Sequence, residues 1–298
     1  GTNRKIIGFR RGMNGSDSVG EWLDWARREL QTSGYSDTPS IEAQWIFEKV
    51  TGAHRPELLS HPEKPLSDTE ITKIRDMVEK VKEGVPLPYV LGEWSFFGNT
   101  FQITPDVLIP RPETEILVEQ AIEWAKNRLM PVRFADVGTG CGCIAVSLLN
   151  YFKTARFTGA AIDISDAALR VARRNIDHYR LNEVLFPIRG NLTECLSSPL
   201  DLVCANLPYI PSERCRSLDV AQNEPLLALD GGEDGFDLYR MLLRDLTGKM
   251  AKESLILCEI DFSQKREALS LSRQLFPDAS VTIKEDYAGL SRLLMIRK

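Results

Sequence analysis

Histidine is scarce: the 298 residues hold only His54, His61 and His178, scattered far from one another. The six cysteines, Cys141, Cys143, Cys195, Cys204, Cys215 and Cys258, include one close pair with no His or Cys nearby to complete a metal-ligand set. No metal is expected. Nor is a disulfide framework, because the chain is long and lacks a secretory signal. Cys204 and Cys258 sit inside apolar runs and read as small buried hydrophobes. Long apolar runs are missing: none approaches the roughly 20 residues of a membrane helix. Positive charge is not in excess. The formal net charge of −5 leans against a duplex-DNA binder, which needs Lys and Arg to displace phosphate counterions. No serine–histidine or cysteine–histidine nucleophile stands out. These absences imply a reduced cytoplasmic protein, with an organellar location left open; a monomer is expected. The basic stretch over residues 1–17 has neither an apolar core nor a cleavage site and reads as a flexible tail.

What is present divides in two. "SVGEWLDWARREL" puts Trp22, Trp25, Ala26 and Leu30 on one helical face. "SIEAQWIFEKVTG" predicts a second helix, opened by Ser40 and closed near Gly52. "SDTEITKIRDMVEKVKEG" has Ser67 and Glu70 in capping-box spacing, an apolar face of Ile71, Ile74, Val78 and Val81, and Gly84 as its stop. Residues 18–84 therefore form a small helical bundle. Residues 85–104 carry Pro and Gly punctuation between β-type runs, which predicts a hairpin-like connector. From residue 133 strands and helices alternate, implying an α/β domain over 105–298 with a mainly parallel sheet covered on both faces.

"FADVGTGCGCIA" places Gly138, Gly140 and Gly142 where the first strand of that domain turns into a helix. Glycines there let a backbone approach a ligand. The dinucleotide fingerprint would need glycine at position 143, which is Cys143, and this speaks against a nicotinamide enzyme. Asp163 ends the second strand, where a carboxylate can accept from both ribose hydroxyls. Glycines alone fit an empty turn equally well; with Asp163 a ribose-containing cofactor is favoured. Asp136 can bond the cofactor's amino-acid part or orient the loop, and Thr139 lies within the turn. Asn191, after the third strand, can read an adenine through its amide. Phe96, Phe97 and Phe101 read equally as core or cofactor wall. Arg111 and Glu113 can order the cofactor mouth as an ion pair.

The fourth strand ends in Asn206-Leu207-Pro208-Tyr209. Together with the glycine turn and Asp163, this resembles the class I S-adenosylmethionine-dependent methyltransferases, with a Rossmann-like domain and a seven-stranded sheet. "NLPY" is similar to the Asn-Pro-Pro-Tyr motif of enzymes that methylate planar amide or amine nitrogens. "FFGNTFQITPDVLIPRPETE", "PLPYVLGEWSFFG" and "NEPLLALDGGEDGFDLYR" narrow the resemblance to the peptide chain release factor glutamine methyltransferases. The similarity runs from about residue 20 to the C-terminus.

The resemblance implies methyl transfer from S-adenosylmethionine, leaving S-adenosylhomocysteine, to the glutamine of the Gly-Gly-Gln loop in a class I release factor, with the helical bundle as docking domain. It implies donor contacts from Asp136, Gly138, Thr139, Gly140, Gly142, Asp163, Asn191 and Asn206. It implies substrate contacts from Asn206, Leu207, Pro208 and Tyr209, with Glu224 shaping the mouth. In-line alignment is the enzyme's main task, because a sulfonium donor is already activated. Asn206 and the carbonyl of residue 207 would take the two amide hydrogens, and Tyr209 would pack on the flat amide. Leu207 departs from the family's proline: it keeps the carbonyl, loses the fixed φ and adds an N–H, which predicts looser preorganisation and slower catalysis. An adenine-N6 nucleic-acid methyltransferase is the first alternative, opposed by the acidic balance and the release-factor-like segments. A catalytically silent binding protein is the second.

Overall fold

The computed structural model describes residues 17–153, 156–197, 199–215, 217–218 and 223–298. The tail expected over 1–17 lies outside them except for Asp17. The chain forms two compact units, one ending at Leu91 and the other running from Gly92 to Lys298.

The first unit holds α1 (Val19–Ser33), α2 (Pro39–Thr51), α3 (Arg55–Ser60), α4 (Asp68–Lys82) and α5 (Leu87–Leu91). Trp22, Trp25, Ala26 and Leu30 of α1 are buried, as their spacing requires, and the two indoles meet edge-to-face with centroids 5.2 Å apart. Ile74, Val78 and Val81 of α4 are buried and Ile71 is half-buried. The Ser67–Glu70 capping box is complete. Two expectations need correction. α2 opens at Thr38 with Pro39 in its first turn rather than at Ser40, because proline's fixed φ suits a helix start. The connector expected over 85–104 is not one hairpin. Residues 87–91 form α5 within the first unit, and the hairpin is confined to β1 (Glu93–Phe96) and β2 (Asn99–Gln102) of the second.

In the second unit follow α6 (Glu115–Ala125), β3 (Val132–Val137), α7 (Cys143–Phe152), β4 (Phe157–Asp163), α8 (Asp166–His178), β5 (Leu185–Arg189), β6 (Leu200–Ala205) and the short α9 (Ser212–Cys215). Then come α10 (Asp237–Leu246), β7 (Met250–Glu259), α11 (Lys265–Leu275), β8 (Ser280–Glu285) and β9 (Ser291–Arg297). The sheet order is β5-β4-β3-β6-β7-β9-β8, parallel except where β9 joins β7 and β8. The central strands read as continuous apolar runs, such as Leu202, Val203, Cys204 and Ala205, because helices cover both faces. The strand order reverses between β3 and β6, and in open α/β sheets ligands bind at the carboxyl ends of such a pair. Phe96 and Phe101 are core, with centroids 6.3 Å apart, and neither lines the main cavity.

Candidate active site

A cavity of about 290 Å³ opens at the reversal between β3 and β6. Its walls bring together Gly138, Thr139, Gly140, Asp163, Asn191, Asn206, Leu207 and Pro208, which lie far apart in the chain. Gly138 and Gly140 take φ of 73° and 55°, a region that L side chains rarely adopt. A Cβ on Gly138 would stand 2.9 Å from Leu207 Cδ2, so glycine is required there on two counts.

Carboxylates hold the turn. Asp136 is fully buried, and its Oδ2 accepts from the Thr139 hydroxyl at 2.6 Å and from the Ala145 N–H at 3.3 Å, tying the turn to the first residues of α7. Burial pushes its carboxyl up to about 6, against those two hydrogen bonds. Asp163 accepts from Gly140 N–H at 2.9 Å through Oδ2 and from Ser165 N–H at 2.9 Å through Oδ1. Burial raises its carboxyl too, and the backbone donors work the other way. Asp163 lines the cavity, where its carboxylate can accept from a ligand hydroxyl. Asn191 lines the cavity and donates to Glu194 Oε1 at 3.0 Å.

Beside the turn, Asn206 follows β6 and donates from Nδ2 to Thr114 Oγ1 at 3.1 Å. Leu207 is buried, and the N–H that proline would lack donates to Tyr239 Oη at 3.0 Å. Tyr239 in turn donates to the Glu259 carbonyl. The added N–H is therefore anchored. Tyr209 lines a smaller cavity of about 120 Å³ beside Asn206 and Pro208. Desolvation pushes its phenol up to about 12. The Tyr209 carbonyl accepts from Gln264 Nε2 at 3.2 Å, and the same amide nitrogen donates to Gly235 O at 2.8 Å.

Two expectations about the mouth change. Arg111 pairs with Glu224 rather than with Glu113. Glu224 is buried, also accepts from Ile109 N–H at 3.0 Å, and lines neither cavity. Its carboxylate ties the segment before α6, which forms one wall, to the loop after β6. Within that loop, residues 216 and 219–222 lie outside the described residues.

Several residues escaped the sequence reading. Thr114, Tyr239, Glu259 and Gln264 all contact the Asn206–Tyr209 segment or its partners. Asn175 of α8 is buried and joins three pieces: its Oδ1 accepts from Gln102 N–H at 2.8 Å, and its Nδ2 donates to Gln102 O and to Cys141 O. A polar residue on the apolar face of "VARRNIDH" was the available signal, and an unpaired buried amide is costly enough to make it one.

A glycine turn, a strand-end carboxylate and an Asn-x-Pro segment around one cavity, with the tyrosine that follows in the smaller cavity beside it, on this sheet order, define a Rossmann-like methyltransferase. Solved structures agree on the fold. The hMettl16 catalytic domain matches with a TM-score of 0.52 at 15% identity, covering 77% of this chain and 81% of that one. A 16S rRNA methyltransferase of T. Thermophilus matches with a TM-score of 0.50 at 12% identity, covering 69% and 49%. Residues 21–92 match the PrmC N-terminal domain. The chain is 32% identical over 289 residues to the release factor glutamine methyltransferase of Agrobacterium fabrum, covering 95% of this chain and 99% of that protein. It is 35% identical over 278 residues to the one of Moorella thermoacetica, covering 92% and 96%. The chain belongs to the release factor glutamine methyltransferase family.

Proposed function

We infer that the protein methylates the side-chain nitrogen of the Gly-Gly-Gln glutamine in a class I release factor, using S-adenosylmethionine. The observation that carries this reading is one cavity lined by both the glycine turn and Asn206-Leu207-Pro208, in a chain that matches release factor glutamine methyltransferases over nearly its whole length. The donor fits the residues present. Left-handed glycines bare the backbone, and Asp163, which lines the cavity, offers lone pairs to ribose hydroxyls, while Asp136 lies buried behind the turn and orients it through Thr139. Asn191 Oδ1 is the atom left to accept from an exocyclic amine, since Nδ2 donates to Glu194.

Bound there, S-adenosylmethionine supplies a methyl group already activated on a sulfonium. The protein's residues align the acceptor. With Nδ2 committed to Thr114, Asn206 presents Oδ1, which accepts one hydrogen of the substrate NH₂. The Leu207 carbonyl accepts the other. Two fixed acceptors orient the nitrogen and stabilise the positive charge that grows on it during transfer. Tyr209 backs the segment, and Glu224 holds the opposite wall through Arg111 and Ile109. The helical unit serves as the docking module for the release factor.

Mass spectrometry of a release factor incubated with enzyme and donor tests this reading. One methyl group on the Gly-Gly-Gln glutamine is expected, with Asn206→Ala lowering the rate by about 100-fold or more, the scale of losing a transition-state hydrogen-bond acceptor. Methylation of any other residue defeats the assignment.

A further inference from the structure

Gln264 stands just before α11, in a single 3-10 turn over Phe262–Gln264, and is 7% exposed. A buried side-chain amide is costly unless both of its ends are satisfied. Its Oε1 accepts from Asp261 N–H at 3.0 Å, a local bond across the start of the turn. That bond fixes which way the amide faces, because the oxygen and not the NH₂ must meet an N–H. The NH₂ then has two hydrogens to give. Nε2 lies 2.8 Å from Gly235 O and 3.2 Å from Tyr209 O and donates to both.

Those carbonyls belong to two segments of the chain. Tyr209 closes the motif after β6, and Gly235 precedes α10. The two backbones are pressed together: a Cβ on Gly235 would stand 2.2 Å from Tyr209 O, and one on Gly231 2.7 Å from Pro208 O. Backbone bonds join them further along, from Ile210 N–H to Leu229 O at 3.1 Å, Gly231 N–H to Ile210 O at 2.8 Å and Ser212 N–H to Gly232 O at 2.8 Å. Converging carbonyl oxygens repel, and a donor shared between them turns the repulsion into a bridge.

The bridge reaches the motif itself. Leu207 N–H is held by Tyr239 Oη at 3.0 Å, and the Tyr209 carbonyl by Gln264. Between these two anchors lies the Leu207–Pro208 peptide, whose plane sets where the Leu207 carbonyl points, and Pro208 locks its own φ. We propose that Gln264 is a positioning residue for methyl transfer: by bridging Tyr209 O and Gly235 O it keeps the Leu207 carbonyl aimed at the substrate NH₂. The proposal rests on the glutamine-methylation reading above.

The test uses the full chain as wild type, Gln264→Met, Gln264→Glu and Asp261→Ala. Gln264→Met keeps the length of the side chain and removes its acceptor and donors together. Gln264→Glu keeps the acceptor that faces Asp261 and gives up at least one of the two donations. Asp261→Ala removes the Oδ1 that accepts from Ser263 N–H at 3.0 Å, so it loosens the turn and leaves the Gln264 amide in place. In transfer assays with a release factor, kcat falls about tenfold or more in both Gln264 variants, while the Kd for S-adenosylmethionine stays within about twofold. Asp261→Ala keeps kcat within about twofold of wild type. Without donor or substrate, amide hydrogen exchange at Ile210 and Gly231 quickens about tenfold or more in both Gln264 variants and is unchanged at Gly138 and Gly140. Wild-type kcat in both Gln264 variants overturns the proposal, as does unchanged exchange at Ile210 and Gly231. So does a loss of rate matched by an equal loss of donor affinity, or an Asp261→Ala that loses as much rate as Gln264→Met. Exchange that quickens as expected, in a protein whose wild type leaves glutamine unmethylated, sinks the functional reading and upholds the bridge.

Discussion

At Leu207 the chain carries a backbone donor where proline would carry none, and Tyr239 Oη takes it up at 3.0 Å. Tyr239 also donates to the Glu259 carbonyl, so one phenol ties the end of β6 to the end of β7. Replacing Tyr239 by Phe strands a buried N–H and weakens a carbonyl's partnership. The expected cost is about 1–3 kcal/mol, read as a lower urea midpoint with an unchanged m-value. Leu207→Pro removes the donor along with the bond and is expected to cost less through that route, since no N–H is left unpaired. Asn206 and the departure at Leu207 were legible in the sequence because a short motif displays them. Tyr239 was not: it lies 32 residues away, and only the pairing of α10 with the sheet brings it near. Thr114 and Glu259 were hidden for the same reason.

Among the elements, the loop after β6 is fitted to the segment it follows. A Cβ on Gly235 would stand 2.2 Å from the Tyr209 carbonyl oxygen, and its φ is 80°. The obstacle is backbone and cannot swing aside. Gly235→Ala is therefore expected to displace Pro208 and Tyr209 and to lower kcat about tenfold or more, while donor affinity, set mainly by the glycine turn, changes little. Calorimetric titration of the donor beside a transfer assay checks the split. Ser67→Ala, which breaks the capping box of α4, is expected to cost about 1 kcal/mol of stability with no effect on donor affinity. That box was readable because capping is local chemistry at fixed spacing. The helix Leu87–Leu91 was not, because Pro86 and Pro88 invite a reading as loop punctuation although proline is tolerated in a first helical turn.

For the whole molecule, the buried carboxylates tie stability to pH. The Glu259 carboxyl stands at about 7, above its ordinary value of 4.5. The folded state thus holds this proton more tightly than the unfolded chain does. The stability it contributes is fully present below about 4.5 and is lost as pH rises through about 7. Glu259→Gln lacks that loss. Relative to wild type it is expected to gain about 2–3 kcal/mol between pH 4.5 and pH 8, at roughly 1.4 kcal/mol per unit of pKa difference. Denaturant melts at the two pH values measure the gain. The alternation of strands and helices from residue 133 onward made the sheet legible, since period and length separate the two element types. The orientation of buried polar groups was not, because it depends on partners supplied by other strands.

The central pairing of the sheet joins Val137 to Ala205, with the chain from α7 to β6 intervening. The glycine turn and the Asn206 segment both hang on that ladder, and Glu259 arrives only when β7 adds to β6. Contacts so distant along the chain form late, after the loop-closure entropy has been met. During refolding from denaturant, donor affinity is therefore expected to return with the slowest structural phase and not with the early helical signal. A rapid recovery of donor binding while the sheet was still assembling would contradict this, and a stopped-flow experiment that follows ligand binding and far-ultraviolet circular dichroism together decides it.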